Sequence, residues 1–76
     1  MIMIMEDNRK HIGQQIRAIR KPKMTLKTLA EKTGIPKSNL SLLENGKYNA
    51  SVDLLYRLLT ALDAKMVFVP EKGERD

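Results

Sequence analysis

Hydrophobic residues recur every three or four positions along most of the chain, which is the spacing of helices with one buried face. The first such stretch follows Asp7 or Asn8, either of which can cap a helix, and Pro22 ends it near Arg20. Its apolar positions are Ile12, Ile16 and Ile19. A first amphipathic helix is therefore predicted from residue 7 or 8 to about residue 20.

Two short helices are predicted next. Thr25 can cap a second helix that ends at Gly34, a residue suited to a left-handed exit. Pro36, whose fixed φ suits a first helical turn, begins a third helix that ends at Asn45-Gly46. Each helix is only about two turns long, and about three residues join them.

A fourth helix supplies the largest apolar stripe of the predicted core. Ser51 can cap it, and Asp63 or Ala64 marks its end. Its buried residues are predicted to be Leu54, Leu55, Leu58, Leu59 and Leu62.

The residues after the fourth helix change character. β-branched and aromatic side chains fill much of residues 65–69 and Pro70 closes the segment, so a short strand is predicted. Because a lone strand needs a partner, residues 65–70 are expected to pair with the same segment of a second copy. The predicted dimerisation residues are Met66, Val67, Phe68 and Val69.

The composition excludes most enzyme classes from this 76-residue domain. The chain has no cysteine and one histidine, His11, which leaves no ligand set for a zinc finger and no cysteine nucleophile. Ser38 and Ser41 have no nearby base. No catalytic residue, cofactor or metal is predicted.

Membrane association is not predicted either. No segment has the roughly 18 apolar residues that cross a bilayer. The five apolar residues at the start follow no basic leader, so they are expected to be neither a signal peptide nor an anchor. The expected location is cytoplasmic.

The positive charge is concentrated in one part of the chain. The net charge is +5, but residues 9–48 alone hold ten Lys or Arg and two acidic residues. Such a block indicates a polyanionic partner, with a merely solvated cationic surface as the alternative. Three aromatic residues are too few to stack single-stranded bases, which favours the backbone of duplex DNA.

The second and third predicted helices have the spacing of a helix-turn-helix, in which the second helix of the pair enters the major groove. Ala30 is small enough for the following helix to pack across it, and Gly34 supplies the positive φ of the turn. Ile35, Leu40 and Leu43 are placed to hold the two helices at their crossing angle.

The segment "LAEKTGIPKSNLSLLENGK" followed by "SVDLLYRLLTALDA" resembles the second, third and fourth helices of the Cro/repressor (Xre) helix-turn-helix family. The resemblance covers roughly residues 12–64, although the turn "RKPKMT" is one residue shorter than usual. Residues that match the family's pattern are Leu29, Ala30, Gly34, Ile35, Leu40, Leu43, Glu44 and Gly46.

The resemblance implies that the start of the third helix reads DNA bases, and a helical wheel places Lys37, Ser38, Ser41 and Leu42 opposite the buried leucines. Lys37 would favour guanine or a phosphate, and the two serines can bond base edges. Leu42 has two alternatives: contact with a thymine methyl group, or cover for local apolar surface.

Other residues are predicted to hold the DNA backbone or the fold. Contacts with the DNA backbone are expected from Thr25, Lys27, Asn39, Lys47, Tyr48 and Asn49. The resemblance also implies that Arg20 and Glu44 form a structural brace between the first and third helices.

The predicted fold class is thus all-α: a compact repressor-like bundle of four to five helices with a helix-turn-helix, over residues 7–64, plus one short C-terminal β-strand that pairs across a dimer. Residues 1–6 are expected to be disordered or a short strand, and residues 71–76 a disordered tail.

The predicted function is a transcriptional repressor that binds double-stranded operator DNA as a homodimer on palindromic half-sites. The terminal "KMVFVPEKG" resembles antitoxins that repress their own operon and bind a kinase-like toxin. The alternative is a stand-alone regulator of the phage or restriction-controller type. A third hypothesis, a protein-interaction module with Leu42 and Met66 as its surface, does not explain the cationic block.

Overall fold

The computed structural model describes residues 5–70, and the side chains of residues 8–70. This part of the chain folds into four α-helices: α1 Met5–Arg20, α2 Leu26–Thr33, α3 Lys37–Glu44 and α4 Val52–Ala61. The prediction of an all-helical domain with four helices is confirmed for the described residues. The predictions for residues 1–4 and for the tail 71–76 lie outside the described residues.

The start of α1 differs from its predicted position. The helix begins at Met5, so Asn8 lies inside it and does not cap it. Met and Glu have favourable helix propensities, which allows the helix to extend ahead of the predicted cap. The predicted end at Arg20 is correct.

The starts of α2 and α4 are capped as predicted. The Thr25 hydroxyl accepts a hydrogen bond from the Thr28 N–H, and the Ser51 hydroxyl accepts one from the Leu54 N–H, each at 3.1 Å. Such caps satisfy one of the free N–H groups at a helix start and stabilise the helix by about 1 kcal/mol. Each capping residue lies only three positions before the N–H that it binds, so the cap can be predicted from the sequence.

The helix α4 ends earlier than predicted. The helix ends at Ala61, and Asp63 takes a left-handed conformation with φ 55°. The Ala64 N–H donates to the Leu59 carbonyl at 2.8 Å, which closes the helix in the manner usually supplied by glycine. The Lys23 ammonium donates to the Leu62 carbonyl and so attaches the α1–α2 turn to this end of α4.

The core is built from leucine and isoleucine side chains of all four helices, together with Ile35 in the turn after α2 and Leu62 directly after α4. Burial of one such side chain contributes about 1.5–3 kcal/mol, so this cluster is the main source of stability. Ile12, expected in the core, is 40% exposed instead. The buried apolar residues are Ile16, Leu29, Ile35, Leu40, Leu43, Leu55, Leu58, Leu59 and Leu62.

The helices α1 and α3 approach each other through two glycines. A β-carbon at Gly13 would lie 2.3 Å from the Leu43 carbonyl oxygen, and one at Gly46 would lie 2.7 Å from the Lys10 α-carbon. Gly46 also has φ 76°, which favours glycine. The N-terminal half of α1 therefore rests directly on the end of α3.

The prediction of a β-strand at residues 65–69 is not confirmed. After Ala64 the chain runs to Pro70 without regular structure, and residues 5–70 contain no strand. A ladder requires a neighbouring strand, which this part of the single chain does not offer. Met66 is half-buried against the core, so it is not the exposed surface residue of the interaction hypothesis. Val67, Phe68 and Val69 are exposed.

None of the four helices has the length and apolar character needed to cross a membrane. This finding applies to the described part of the chain.

Candidate nucleic-acid interface

The turn between α2 and α3 has the geometry that the sequence predicts. Gly34 adopts φ 76°, and its N–H donates to the Ala30 carbonyl at 2.8 Å. The Thr33 hydroxyl donates to the Leu29 carbonyl at 2.8 Å and accepts from the Ile35 N–H at 3.2 Å. Thr33 thus fixes the turn, a role that helical periodicity does not show.

The outer surface of α3 carries the predicted base-contact residues. Lys37, Ser38 and Leu42 are exposed, whereas Ser41 is half-buried. Leu42 exposes 43% of its surface although its neighbour Leu43 is fully in the core. The structure therefore brings one cation, one hydroxyl and one apolar side chain to the accessible face of α3. Ser41 is less accessible than the helical wheel suggests.

A C-terminal cap fixes the chain immediately after α3. The Lys47 N–H donates to the Leu42 carbonyl at 2.8 Å, and the Gly46 N–H donates to the Leu43 carbonyl at 3.1 Å. This pair of bonds is the Schellman pattern around a left-handed glycine. It directs the loop of residues 47–51 away from α3 at a defined angle.

The predicted backbone-contact residues flank α3 on both sides. Thr25 and Lys27 are exposed at the start of α2, although the Thr25 hydroxyl is engaged as a helix cap. Lys47 and Asn49 are exposed in the loop after α3. Two further members of the predicted set, Asn39 and Tyr48, are half-buried, and Tyr48 packs against the core.

Arg20 and Glu44 form a buried ion pair that joins the end of α1 to the end of α3. Arg20 Nε lies 2.5 Å from Glu44 Oε2, and Nη2 lies 3.1 Å from Oε1. Arg20 Nη1 also donates to the Met24 carbonyl at 2.9 Å. One cation and one anion leave the pair without net charge, and the three hydrogen bonds fix the relative positions of α1, the turn before α2 and α3.

The remaining charges make this part of the molecule strongly positive. Of the ten Lys and Arg within residues 9–48, Arg20 is neutralised by Glu44, which leaves nine cations and the carboxylate of Glu31. A surface of this kind attracts a polyanion and loses that attraction as salt is added.

Metal-binding side chains are not clustered in the described residues. His11 is exposed and hydrogen-bonds Gln15 across one turn of α1 at 2.8 Å. No cluster of His, Asp or Glu side chains suited to a metal ion occurs within residues 8–70.

Comparison with known proteins places the chain in a family. The model of the Helix-turn-helix family, HTH_3, matches residues 16–69. The chain belongs to this family. The predicted resemblance to Xre-type helix-turn-helix proteins is thereby confirmed.

Two curated relatives carry the same domain. An uncharacterized HTH-type transcriptional regulator of Sinorhizobium fredii is 35% identical over 63 residues, which cover 82% of this chain and 32% of that protein. A second one, from Archaeoglobus fulgidus, is 34% identical over 53 residues, or 67% of this chain and 75% of that protein. The HTH_3 chain thus spans about a third of the first relative's length.

A solved structure shares the fold of this HTH_3 domain. The restriction-modification controller protein C.AhdI from Aeromonas hydrophila matches it with a TM-score of 0.74 and 30% identity. The match covers 78% of this chain and 91% of that chain.

Proposed function

We propose that this HTH_3 domain is a sequence-specific repressor that places α3 in the major groove of its operator. The observation that carries the proposal is the exposure of Lys37, Ser38 and Leu42 on one face of α3, over the buried Leu40 and Leu43. A helix that reads base edges uses all three kinds of contact.

Each of these side chains has a role that follows from its chemistry. The Lys37 ammonium donates to guanine O6 or N7, and the Ser38 hydroxyl donates or accepts at a base edge. Leu42 contacts a thymine 5-methyl group. Ser41 is a secondary contact because it is half-buried.

The residues on either side of α3 contribute affinity for DNA that does not depend on the base sequence. Lys27 and the N-terminus of α2 contact one position on the DNA phosphate backbone. Lys47 and Asn49 contact a second position. Asn39, Thr25 and Tyr48 stay in the proposed set with smaller roles, since each is partly buried or engaged within the protein.

We infer that the functional unit is a two-fold dimer. One recognition helix reads about four or five base pairs, which is too little for a unique operator, so two half-sites about one helical turn apart are expected. The apolar side chains of Val67, Phe68 and Val69 support this proposal, because Phe68 exposes 84% of its surface in the single chain. Pairing of residues 65–69 with a second copy would form the predicted ribbon, and packing of one ribbon face on the α4 helices would cover part of these side chains.

Two kinds of repressor fit this description. The likeness to C.AhdI, a restriction-modification controller, supports a stand-alone regulator. The apolar segment Val67–Val69 supports the predicted antitoxin role, to which the stand-alone regulator is the alternative and in which the chain also binds a kinase-like toxin. A neighbouring gene for a kinase-like protein whose growth inhibition this chain relieves would favour the antitoxin role. Repression of its own promoter without such a neighbour would favour the regulator role.

Selection of binding sites from a random duplex library tests the proposal. We expect an enriched sequence with two-fold symmetry and half-sites about one helical turn apart. Enrichment of no sequence would contradict specific readout. Enrichment of one asymmetric half-site alone would contradict the dimer.

Sedimentation velocity tests the role of the C-terminal segment. Val67→Pro removes an N–H donor from the proposed ladder and should yield helical monomers with weakened operator binding. Val67→Thr is the matched control, because it keeps the N–H and the β-branched shape. Dimers in both variants would place the interface on the helices.

A further inference from the structure

Arg9 lies in a small crevice between α1 and the loop that follows α3. The crevice is lined by Ile12 and Leu43 on one side and by Tyr48, Asn49 and Ala50 on the other. The Arg9 side chain is half-buried, and its Nε is enclosed without a hydrogen-bond partner among the described residues. The sequence pattern assigns Arg9 only to the polar side of α1, so this position is a finding of the structure.

An enclosed guanidinium nitrogen requires an acceptor. Buried polar groups are nearly always hydrogen-bonded, and an unpaired cation destabilises the folded state. Glu44, the buried carboxylate among the described residues, has both oxygens engaged by Arg20. No acidic side chain lines the crevice. The accessible part of the half-buried Arg9 side chain therefore fits an anion from outside the chain, because a guanidinium binds phosphate oxygens with two parallel bonds.

The crevice adjoins the loop already proposed to contact the DNA backbone. The Gly46 backbone packs against the Lys10 backbone, so the start of α1 and the end of α3 are in direct contact. Lys47 and Asn49 are exposed on this loop, and Lys10 is exposed on α1. Three cations, Arg9, Lys10 and Lys47, thus come from two elements to one edge of the interface.

We propose that Arg9 binds a phosphodiester of the operator beside the one held by Lys47. The proposal rests on the proposed DNA-binding function and extends it to α1, outside the two helices of the helix-turn-helix. Arg9, which lies beside Leu43 and Tyr48, then connects α1 to the same DNA strand that the loop after α3 contacts. Because Nε is enclosed, the phosphodiester would be held by the Nη groups of the guanidinium.

The competing explanation is that Arg9 only covers the core. Its aliphatic stem packs beside Ile12 and Leu43, as long basic side chains often do. Methionine would serve this purpose equally well, since its length is similar and it carries no charge. Arg9→Met therefore separates the two explanations, because it keeps the packing and removes the phosphate contact.

The test measures binding to a random-sequence duplex of about 30 base pairs by fluorescence anisotropy, over about 50–200 mM salt. A phosphate contact contributes about 0.9 to the log-log salt slope, so each contact accounts for roughly a threefold change across this range. Arg9→Met should lower the slope by about 0.9 relative to wild type, and Arg9→Lys should retain it. Arg17→Met, an exposed position on the same helix, should leave the slope unchanged.

Three results would overturn the proposal. An unchanged slope for Arg9→Met, with Lys47→Ala lowering it, would reject the Arg9 contact and keep the proposed function. Equal losses for Arg9→Met and Arg17→Met would show an effect of net charge alone. Wild-type protein that fails to bind duplex DNA would reject both proposals. Circular dichroism of each variant must match the wild type. If Arg9→Met unfolds, Arg9→Gln replaces it, because it also removes the charge and should lower the slope by the same amount.

Discussion

Arg20 and Glu44 are 24 positions apart in sequence and form a two-point ion pair, with Nε to Oε2 at 2.5 Å and Nη2 to Oε1 at 3.1 Å. The planar guanidinium and the carboxylate face each other, so the pair fixes an angle as well as a distance. Because Arg20 also donates to the Met24 carbonyl, it joins α1, the turn before α2 and the end of α3. The orientation of the proposed recognition helix depends on this contact.

Glu44→Ala should destabilise the domain by about 3–5 kcal/mol, because it leaves the buried Arg20 without a partner. Urea unfolding measures the loss. Glu31→Ala, an exposed position on α2, is the control and should remain within about 0.5 kcal/mol of wild type. The double variant Arg20→Met/Glu44→Leu should recover much of the stability, since no charge is left buried. Similar stability for Glu44→Ala and Glu31→Ala would contradict the brace.

Gly34 and Gly46 offer a matched comparison, because both have φ 76°. Alanine at either position pays roughly 1 kcal/mol for the left-handed conformation. A β-carbon at Gly34 meets nothing within 4 Å, whereas one at Gly46 lies 2.7 Å from the Lys10 α-carbon. Gly46→Ala should therefore cost about 1–3 kcal/mol more than Gly34→Ala in urea unfolding. Equal costs would mean that α1 does not rest on the end of α3.

Asp63 should be replaceable by glycine with a gain in stability. Its φ of 55° strains a residue with a β-carbon, and this acidic residue lies just past the C-terminal, negative end of the α4 dipole. Asp63→Gly should raise stability by about 0.5 kcal/mol, or roughly 2–4 °C in Tm. Asp53→Gly, in the first turn of α4, should lower stability by about 1 kcal/mol. A loss of stability on Asp63→Gly would contradict the described end of α4.

The two interpretations of Leu42 are separated by removal of one methyl group from the DNA. Deoxyuridine in place of the contacted thymine should weaken wild-type binding by about 0.8 kcal/mol, or roughly fourfold. The Leu42→Ala variant should not respond to the same substitution. If Leu42 instead covers local apolar surface, Leu42→Ala lowers the Tm and wild-type binding is indifferent to deoxyuridine.

Local signals made much of the fold predictable. Thr25 and Ser51 cap their helices through side chains three residues from the groups they bond, and such short-range chemistry is visible in sequence. Gly13 is the opposite case, because its role depends on the Leu43 carbonyl, thirty residues away. The strand at residues 65–69 was predicted from β-propensity, but a ladder also requires a partner, which propensity does not describe.

The candidate site shows the same division. Periodicity correctly placed Lys37, Ser38 and Leu42 on the accessible face of α3. It did not show that Tyr48 packs against the core or that Arg9 enters a crevice, because both positions depend on how α1 crosses the loop after α3. Contacts between distant segments are thus the part of the site that sequence alone does not determine.

The most direct test of the account compares Lys37→Ala with Lys47→Ala on the selected operator and on random duplex. As a base contact, Lys37 should account for about 1–3 kcal/mol of operator affinity and little of the random-duplex affinity. As a phosphate contact, Lys47 should weaken both complexes alike and lower the salt slope by about one. Ser38→Ala should behave like Lys37→Ala. An unchanged ratio of operator to random affinity in Lys37→Ala and Ser38→Ala would show that α3 does not read the sequence.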